Sequence, residues 1–425
     1  PELRAVIQNL APAPAAAPIT PPIASDPPQP SLWARIKAKV AAWALEQGAA
    51  IANDVFVDPG ATATDICGNN LLVTRLGTVN TAVAGDYLLR YVATNFSGMV
   101  ATNLRTVTVL SPIERLVSNL NDSGPGSLRE ALVDVQLPLT RITFATNLPN
   151  STIVLTNGPF ALTNIASSPQ LRVQIDASSL PSGITLDGNG LNEIFSIYYR
   201  YSLEMVGLTL SNATQRAIYT GGPLNLKGCR IVKNQGSGIE CLGGPVRLVD
   251  CTIAENLAHG LSLQDANAYL INTAVVRNIG SGVHCQPVFH PFAPGVTMEN
   301  CTLAENAGGA IRSEIVSFPS VFDFKNCTVA MNTSTGRAAV SGHQVIADSC
   351  LFFGNTNLTT GLPHHIQAFA GTTTNFSVFA NINPGVLPLG DYGGPTPTMP
   401  PTWPQAETNP YDFGLLIEQG NDAVT

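Results

Sequence analysis

The chain is poor in charge. Its 425 residues carry 29 acidic and 21 basic side chains, so only 12% are charged, about half the roughly 25% usual for soluble globular domains. Lysine is scarcest: Lys37, Lys39, Lys227, Lys233 and Lys325 are the whole complement, and no Lys or Arg follows Arg337. With a net charge of −8 and no basic stripe, nucleic acid is excluded as a partner class. No apolar run approaches the ~18 residues a membrane helix requires, so no membrane insertion is expected. Eight Cys are too few to staple a chain of this length as a disulfide scaffold. Met and a cationic-then-apolar leader are missing at Pro1, so a processed chain is expected. What the chain does have is Gly (37), Pro (32) and 44% hydrophobic residues, enough to bury a large core and to exclude disorder throughout.

Residues 1–30 hold nine Pro, most of them between Ala11 and Pro30, the composition of a semi-rigid spacer. Ahead of it Leu3, Ala5, Val6, Ile7 and Leu10 form a short apolar segment. Two readings stay open: a frayed terminus, or a donor strand that pairs with the sheet edge of a neighbouring subunit. Trp33 to Gln47 has apolar residues near helical spacing. Alternating runs follow at Leu71–Leu76, Gly85–Ala93 and Leu104–Val109, divided by Gly and Asn, which predicts a small β-sandwich.

Four blocks in order, Phe56 to Asp65, Gly77 to Thr81, Ala84 to Tyr87 and Arg105 to Val109, resemble the bacterial immunoglobulin-like modules of the HYR type and their relatives. The resemblance covers about 40–110 and implies a spacer or adhesion unit of secreted and cell-surface proteins. Asn95 to Met99 replaces the usual acidic turn, and no Cys lies upstream to pair with Cys67.

Beyond the module, Ser127 precedes Leu128, Ala131 and Leu132 at helical spacing, the pattern of one short N-capped helix. Such a helix would cap the open first coil of a solenoid. The decisive feature is an internal repeat. Asn234, Asn256, Asn278, Asn306, Asn332 and Asn355 recur at steps of 22, 22, 28, 26 and 23, and Asn212 stands 22 residues upstream. Each follows a short run with period-2 alternation, the mark of a strand with one buried face. Coils of two or three such strands, stacked in parallel at ~4.8 Å, make a β-helix in which equivalent residues form ladders.

Three ladders are expected. The Asn residues stack inward at a turn and hydrogen-bond their neighbours above and below. Cys229, Cys251, Cys301, Cys327 and Cys350 share one inward column, with Cys241 and Cys285 in another. Stacked Cβ atoms are slightly too far apart for the ~3.8 Å a disulfide prefers, which favours free thiols, with Cys229–Cys251 and Cys301–Cys327 as the pairs if bridges form. Lys233, Glu255, Arg277 and Glu305 alternate in sign and read as a surface ion ladder. His259, Asp265, His284 and His290 are the nearest imitation of a site, a binding loop on neighbouring coils. The pair His364-His365 is a weak metal hint.

Gly124-Pro125-Gly126-Ser127-Leu128-Arg129-Glu130-Ala131, the Ile184–Gly190 coil, Gly393–Met399 and Leu416–Ala423 resemble the right-handed parallel β-helix superfamily, in particular bacterial surface proteins that share the first motif. The resemblance covers about 115–425, and implies that the natural chain continues past Thr425 into a sorting or anchoring tail. Many relatives degrade polysaccharides, but this sequence has no Asp-Asp pair and no Gly-His-Gly, and its Asp residues share no outward column that would hold calcium or an acid–base pair.

The expectation is therefore all-β: an N-terminal immunoglobulin-like β-sandwich followed by a right-handed parallel β-helix solenoid with a short capping helix. Its parts are a tethered strand and linker (1–30), the sandwich (31–112), the solenoid (113–375) and a C-terminal cap or extension (376–425). No catalytic residue, cofactor or metal is expected. The expected role is that of a secreted bacterial cell-surface protein that forms a homo-oligomer or polymer, with surface glycans as the partners in the alternative of an adhesin, and a polysaccharide lyase or hydrolase as the second alternative.

Overall fold

The computed structural model describes residues 6–8, 49–51, 56, 58, 60–64, 70–95, 98–133, 135, 139–148, 151–163, 171–190, 193–286, 294–314, 320–381, 383–392 and 394–400. Leu3, Ala5, Leu10, the Trp33–Gln47 segment, Cys67, His290 and the stretch from Leu416 lie outside these residues. The chain divides into two units, Pro1–Ile113 and Glu114–Thr425.

The first unit is immunoglobulin-like and all-β. Its strands are β1 (Val6–Gln8), β2 (Ala49–Ile51), β3 (Thr62–Thr64), β4 (Asn70–Leu71), β5 (Val73–Leu76), β6 (Gly85–Thr94) and β7 (Val100–Leu110). They form a three-stranded sheet, order β1-β3-β4, and a four-stranded sheet, order β2-β7-β6-β5. Alternation along β6 and β7 turns Leu89, Tyr91, Val107 and Val109 inward, where Phe56, Ala61, Val73 and Val79 pack on them. Asp58 of the first motif block is a structural anchor: its carboxylate accepts from Tyr91 Oη at 2.6 Å and faces Arg75 at 3.2 Å. Burial and the Asp58 contact push the Tyr91 hydroxyl up to about 12.

The second unit is a parallel β-solenoid with three faces. Helix α1 (Leu128–Leu132) precedes it, with Ser127 as N-cap accepting from Glu130 N. Each coil then contributes one strand per face, for example Ser237–Leu242, Val246–Val249 and Thr252–Ala254. The third face is a sheet of ten strands running from Ser151–Val154 to Val378–Ala380. Its register is unbroken: Arg230, Thr252, Ala274, Thr302, Thr328, Leu351 and Val378 are successive partners. The middle residue of each of these strands points inward, so Ile231, Ile253, Val275, Leu303, Val329 and Phe352 join the continuous core.

Two columns of left-handed residues bracket this face. One comprises Gly228, Asp250, Asn272, Asn300, Asn326, Ser349 and Phe376, at φ between 47 and 59°. The residue after each is the Cys column, completed by Thr273 and Ser377 where Cys is missing. Every one of these side chains donates to the carbonyl two residues back, at 2.9–3.4 Å. Thiol and hydroxyl therefore do the same work, bonding the backbone oxygen that precedes the bend. The thiols at 229, 251, 301, 327 and 350, like Cys241 and Cys285, are free and buried.

The other left-handed column holds Asn212, Lys233, Glu255, Arg277, Glu305 and Met331, with Gly354 at the end. The residue after each from Lys233 onward is a ladder Asn, 0% exposed. Asn212 is the exception to the expected ladder. Ser211 pairs with Val232, so that coil is one residue shorter than the 22 steps that follow, and Asn212 falls opposite Lys233. It is exposed and donates to Asp187 at 2.8 Å, while Ala213 holds the ladder position and its N–H donates to Asn234 Oδ1 at 3.0 Å.

The C-terminal extension also differs from a simple end cap. Residues 383–392 and 394–400 fold back along the outside of the third face, where Val386, Leu389 and Met399 pack on Ala254, Ala274, Val276, Ala304, Ala330, Leu351 and Phe353. The Ala residues of these outward positions leave room for the returning chain. Arg277 Nη2 donates to Leu389 O at 3.3 Å across this contact.

Candidate functional site

The Asn ladder is the most organised polar feature. From Asn234 to Asn355 each Nδ2 donates to the Oδ1 of the next Asn at 2.9–3.0 Å. The same Oδ1 accepts the backbone N–H of the preceding Asn at 3.0–3.1 Å. The second Nδ2 hydrogen reaches a carbonyl of the coil before, such as Ile253 O from Asn278 at 3.2 Å. The neighbouring Gly column makes space for this: a Cβ on Gly260 would lie 3.1 Å from Asn278 Nδ2 and 2.6 Å from Gly282 O. The ladder ends on His365, whose Nδ1 lies 3.2 Å from Asn355 Nδ2, which gives half of the His364-His365 pair a structural partner.

The charged column beside the ladder is not continuous. Lys233 pairs with Glu255 at 3.7 Å and Arg277 with Glu305 at 2.7 Å. Both are exposed pairs, which contribute little. A second row of charges, unforeseen from the sequence, lies on the first face. Arg216 faces Glu240 at 3.0 Å and Glu193 at 4.0 Å, and its guanidinium sits 4.2 Å over the Tyr219 ring. The Glu193–Arg216 spacing of 23 residues was a usable clue, since the two are register partners of opposite sign; Glu240 lies three residues past Ser237, the register partner of Arg216.

Further along this face the structure brings two of the three expected histidines together. His259 and His284 stack with ring centroids 4.3 Å apart. His284 Nε2 lies 2.8 Å from Glu314 Oε1, which Arg312 also approaches at 3.2 Å. His259 Nδ1 accepts the Ser281 N–H at 3.0 Å, which fixes the neutral ring with its proton on Nε2. Burial first, then His284 and Arg312, depress His259 to about 4. The His284 hydrogen bond holds Glu314 below the usual carboxylate range, against the effect of its burial. Glu314 and Arg312 were missed because they sit one coil further on, although Arg312 is the register partner of His284.

These groups are arranged to neutralise one another. No cluster of three His, Cys, Asp or Glu side chains able to hold a metal occurs among the described residues. The chemistry available is that of a buried, pH-sensitive contact. Since folded His259 titrates near 4 and an unfolded His near 6.5, the unfolded chain binds more protons between these values. Stability is fully present above about 6.5 and falls as pH drops toward 4, by at most about 3 kcal/mol. Urea unfolding between these pH values should show that slope, and His259→Gln should flatten it.

Residues 50–109 match the family model described as bacterial surface protein, Ig-like domain. No curated protein matches the chain. Among solved structures the pectate lyase Pel9A is similar at 14% identity and a TM-score of 0.41, over 64% of this chain and 77% of that one. No helix among the described residues is long and apolar enough to cross a membrane.

Proposed function

We propose that this chain is a non-catalytic structural protein of the bacterial cell surface whose copies join by exchange of the N-terminal strand. The observation that carries the reading is the pairing of β1 with β3, antiparallel, Val6 opposite Thr64 and Gln8 opposite Thr62. Residues 9–48 separate β1 from the rest of its unit, and so short a ladder on so long a connection is readily made by the same strand of a second copy. The match of 50–109 to a surface Ig-like domain supports the location. The acid–base pairing of the outward charges supports a passive role, because a general acid or base needs a free group poised near the working pH.

Deleting residues 1–10 is expected to abolish filaments seen by electron microscopy while leaving the thermal midpoint of the solenoid unchanged. Filaments that persist after the deletion would sink the exchange. A monomer that binds a glycan array would replace this reading with an adhesin, and unsaturated uronate released from acidic polysaccharide would replace it with a lyase.

A further inference from the structure

The two ends of the solenoid are built differently. At the N-terminal end α1 buries Leu128, Ala131 and Leu132 over the first coil. At the other end the last rung consists of Ile366–Asn375 and Val378–Ala380, and Ile366–Asn375 is exposed along nearly its whole length. Phe379 stacks on Phe352 at 4.9 Å, closing the core column, yet is still 44% exposed; Leu362, Phe369 and Phe376 are 63%, 69% and 55% exposed. The rim is also neutral. Residues 349–390 contain no Asp, Glu, Lys or Arg, and the strand Ile366–Asn375 pairs on one side with Val340–Asp348.

Proteins guard an exposed strand edge with charge, Pro or a bulge that turns it away. Here a ten-residue strand carries no charge and no Pro. It has one irregularity, between the partners of Gly342 and Gln344, and beyond it Gly371 to Asn375 pair residue by residue with Gln344 to Asp348. Depletion of charge around exposed aromatics is the compositional mark of an interface core. Neutrality also says what the partner is. A chain of net charge −8 meets its own copy only through a patch where like charges are not brought together, and this rim is such a patch. In antiparallel pairing centred on Thr373, Thr372 opposes Thr374, a favourable cross-strand pair.

We infer that the C-terminal rim of the solenoid is an interface with the same rim of a second copy, related by a two-fold axis through Thr373, which continues the sheet from one copy into the next. This is a surface separate from the N-terminal exchange, and the two stand or fall separately.

Sedimentation of the full chain and of the chain lacking residues 1–10 is the test. The truncated chain should form a dimer and the full chain a dimer or a larger assembly, and in the truncated chain Phe369→Lys or Thr373→Lys, at exposed positions that leave the circular dichroism spectrum unchanged, should weaken dimerisation by at least about tenfold, which is about 1.4 kcal/mol. Thr373→Cys in a glutathione disulfide buffer should yield a covalent dimer that the unsubstituted chain does not, a readout that survives if a Lys variant misfolds. The inference is overturned if the full chain is monomeric, if Lys at 369 and 373 leaves the dimer intact, or if removal of 1–10 dissociates it. It is equally overturned if dimers appear only after removal of 401–425, since the chain's own C-terminus would then be what covers the rim.

Discussion

Replacing Asn278 with Ala is expected to destabilise the solenoid by about 4 kcal/mol and to lower its thermal midpoint by several degrees. The substitution strands groups on the coils before and after. Asn256 loses the acceptor for both its backbone N–H and its Nδ2, at 3.1 and 2.9 Å. Ile253 O loses its donor at 3.2 Å, and Asn306 Oδ1 loses one of its two partners. All these sites are buried, where each unmade hydrogen bond costs roughly 1–3 kcal/mol. A further contribution comes from the backbone: Arg277, at φ 57°, is a non-Gly residue in the left-handed region, a conformation costing on the order of 1–2 kcal/mol that its surroundings must hold. Denaturant unfolding of the purified chain measures the loss. Asn212→Gly is the control, because Asn212 is exposed and left-handed at φ 62°, so Gly should change stability by no more than about 0.5 kcal/mol. Equal costs at the two positions would contradict the placement of Asn212 outside the ladder.

Much of this architecture was legible in the sequence, because a solenoid writes its geometry as a period. The strands, the stacked Asn and Cys columns and the capped helix after Ser127 all follow from spacing and alternation. What spacing could not reveal was a slip of one residue. Counting 22 back from Asn234 lands on Asn212, but the Ser211–Val232 pairing shortens that coil, and an Asn suits a left-handed bend as well as a buried ladder. The charged column was visible as alternating sign, yet Lys233, Glu255, Arg277 and Glu305 carry no residue-type cue for positive φ, so their role in the bend was hidden. The returning segment 383–400 was hidden for another reason. Its partners Ala254, Ala304 and Ala330 look like ordinary small strand residues until the outward face is known to be covered.

The low charge of the chain sharpens the second large effect, because a buried charge in so neutral a molecule must have a specific task. Asp122→Ala is expected to cost about 4 kcal/mol and to loosen the N-terminal end of the solenoid. Asp122 stands before the motif that ends in α1, and its carboxylate ties three segments together. Oδ1 takes Arg129 Nη2 at 2.7 Å, while Oδ2 takes Thr156 N at 2.8 Å and Asn157 N and Nδ2 at 2.7 and 2.8 Å. Arg129 in turn donates to Gly158 O and Pro159 O and lies 4.7 Å over the Phe160 ring. Burial would raise the Asp122 pKa, but the Thr156 N–H, Arg129 and Asn157 outweigh it and hold the carboxyl at about 2. A folded pKa below the unfolded one stabilises above the unfolded value. The contribution, on the order of 2–3 kcal/mol, is therefore complete above about pH 4 and disappears as pH falls toward 2. Removing the carboxylate leaves the half-buried Arg129 without its charged partner and the Thr156 and Asn157 N–H groups without an acceptor, which is why the substitution should cost more than the pair is worth. Arg129→Met with Asp122→Ala should then lose less than the two single changes combined. If the single and double variants are additive in urea unfolding, the two side chains do not act as one clamp. In that case the Gly-Pro-Gly-Ser-Leu-Arg-Glu-Ala motif would owe its order to the Ser127 cap and the buried Leu128 alone.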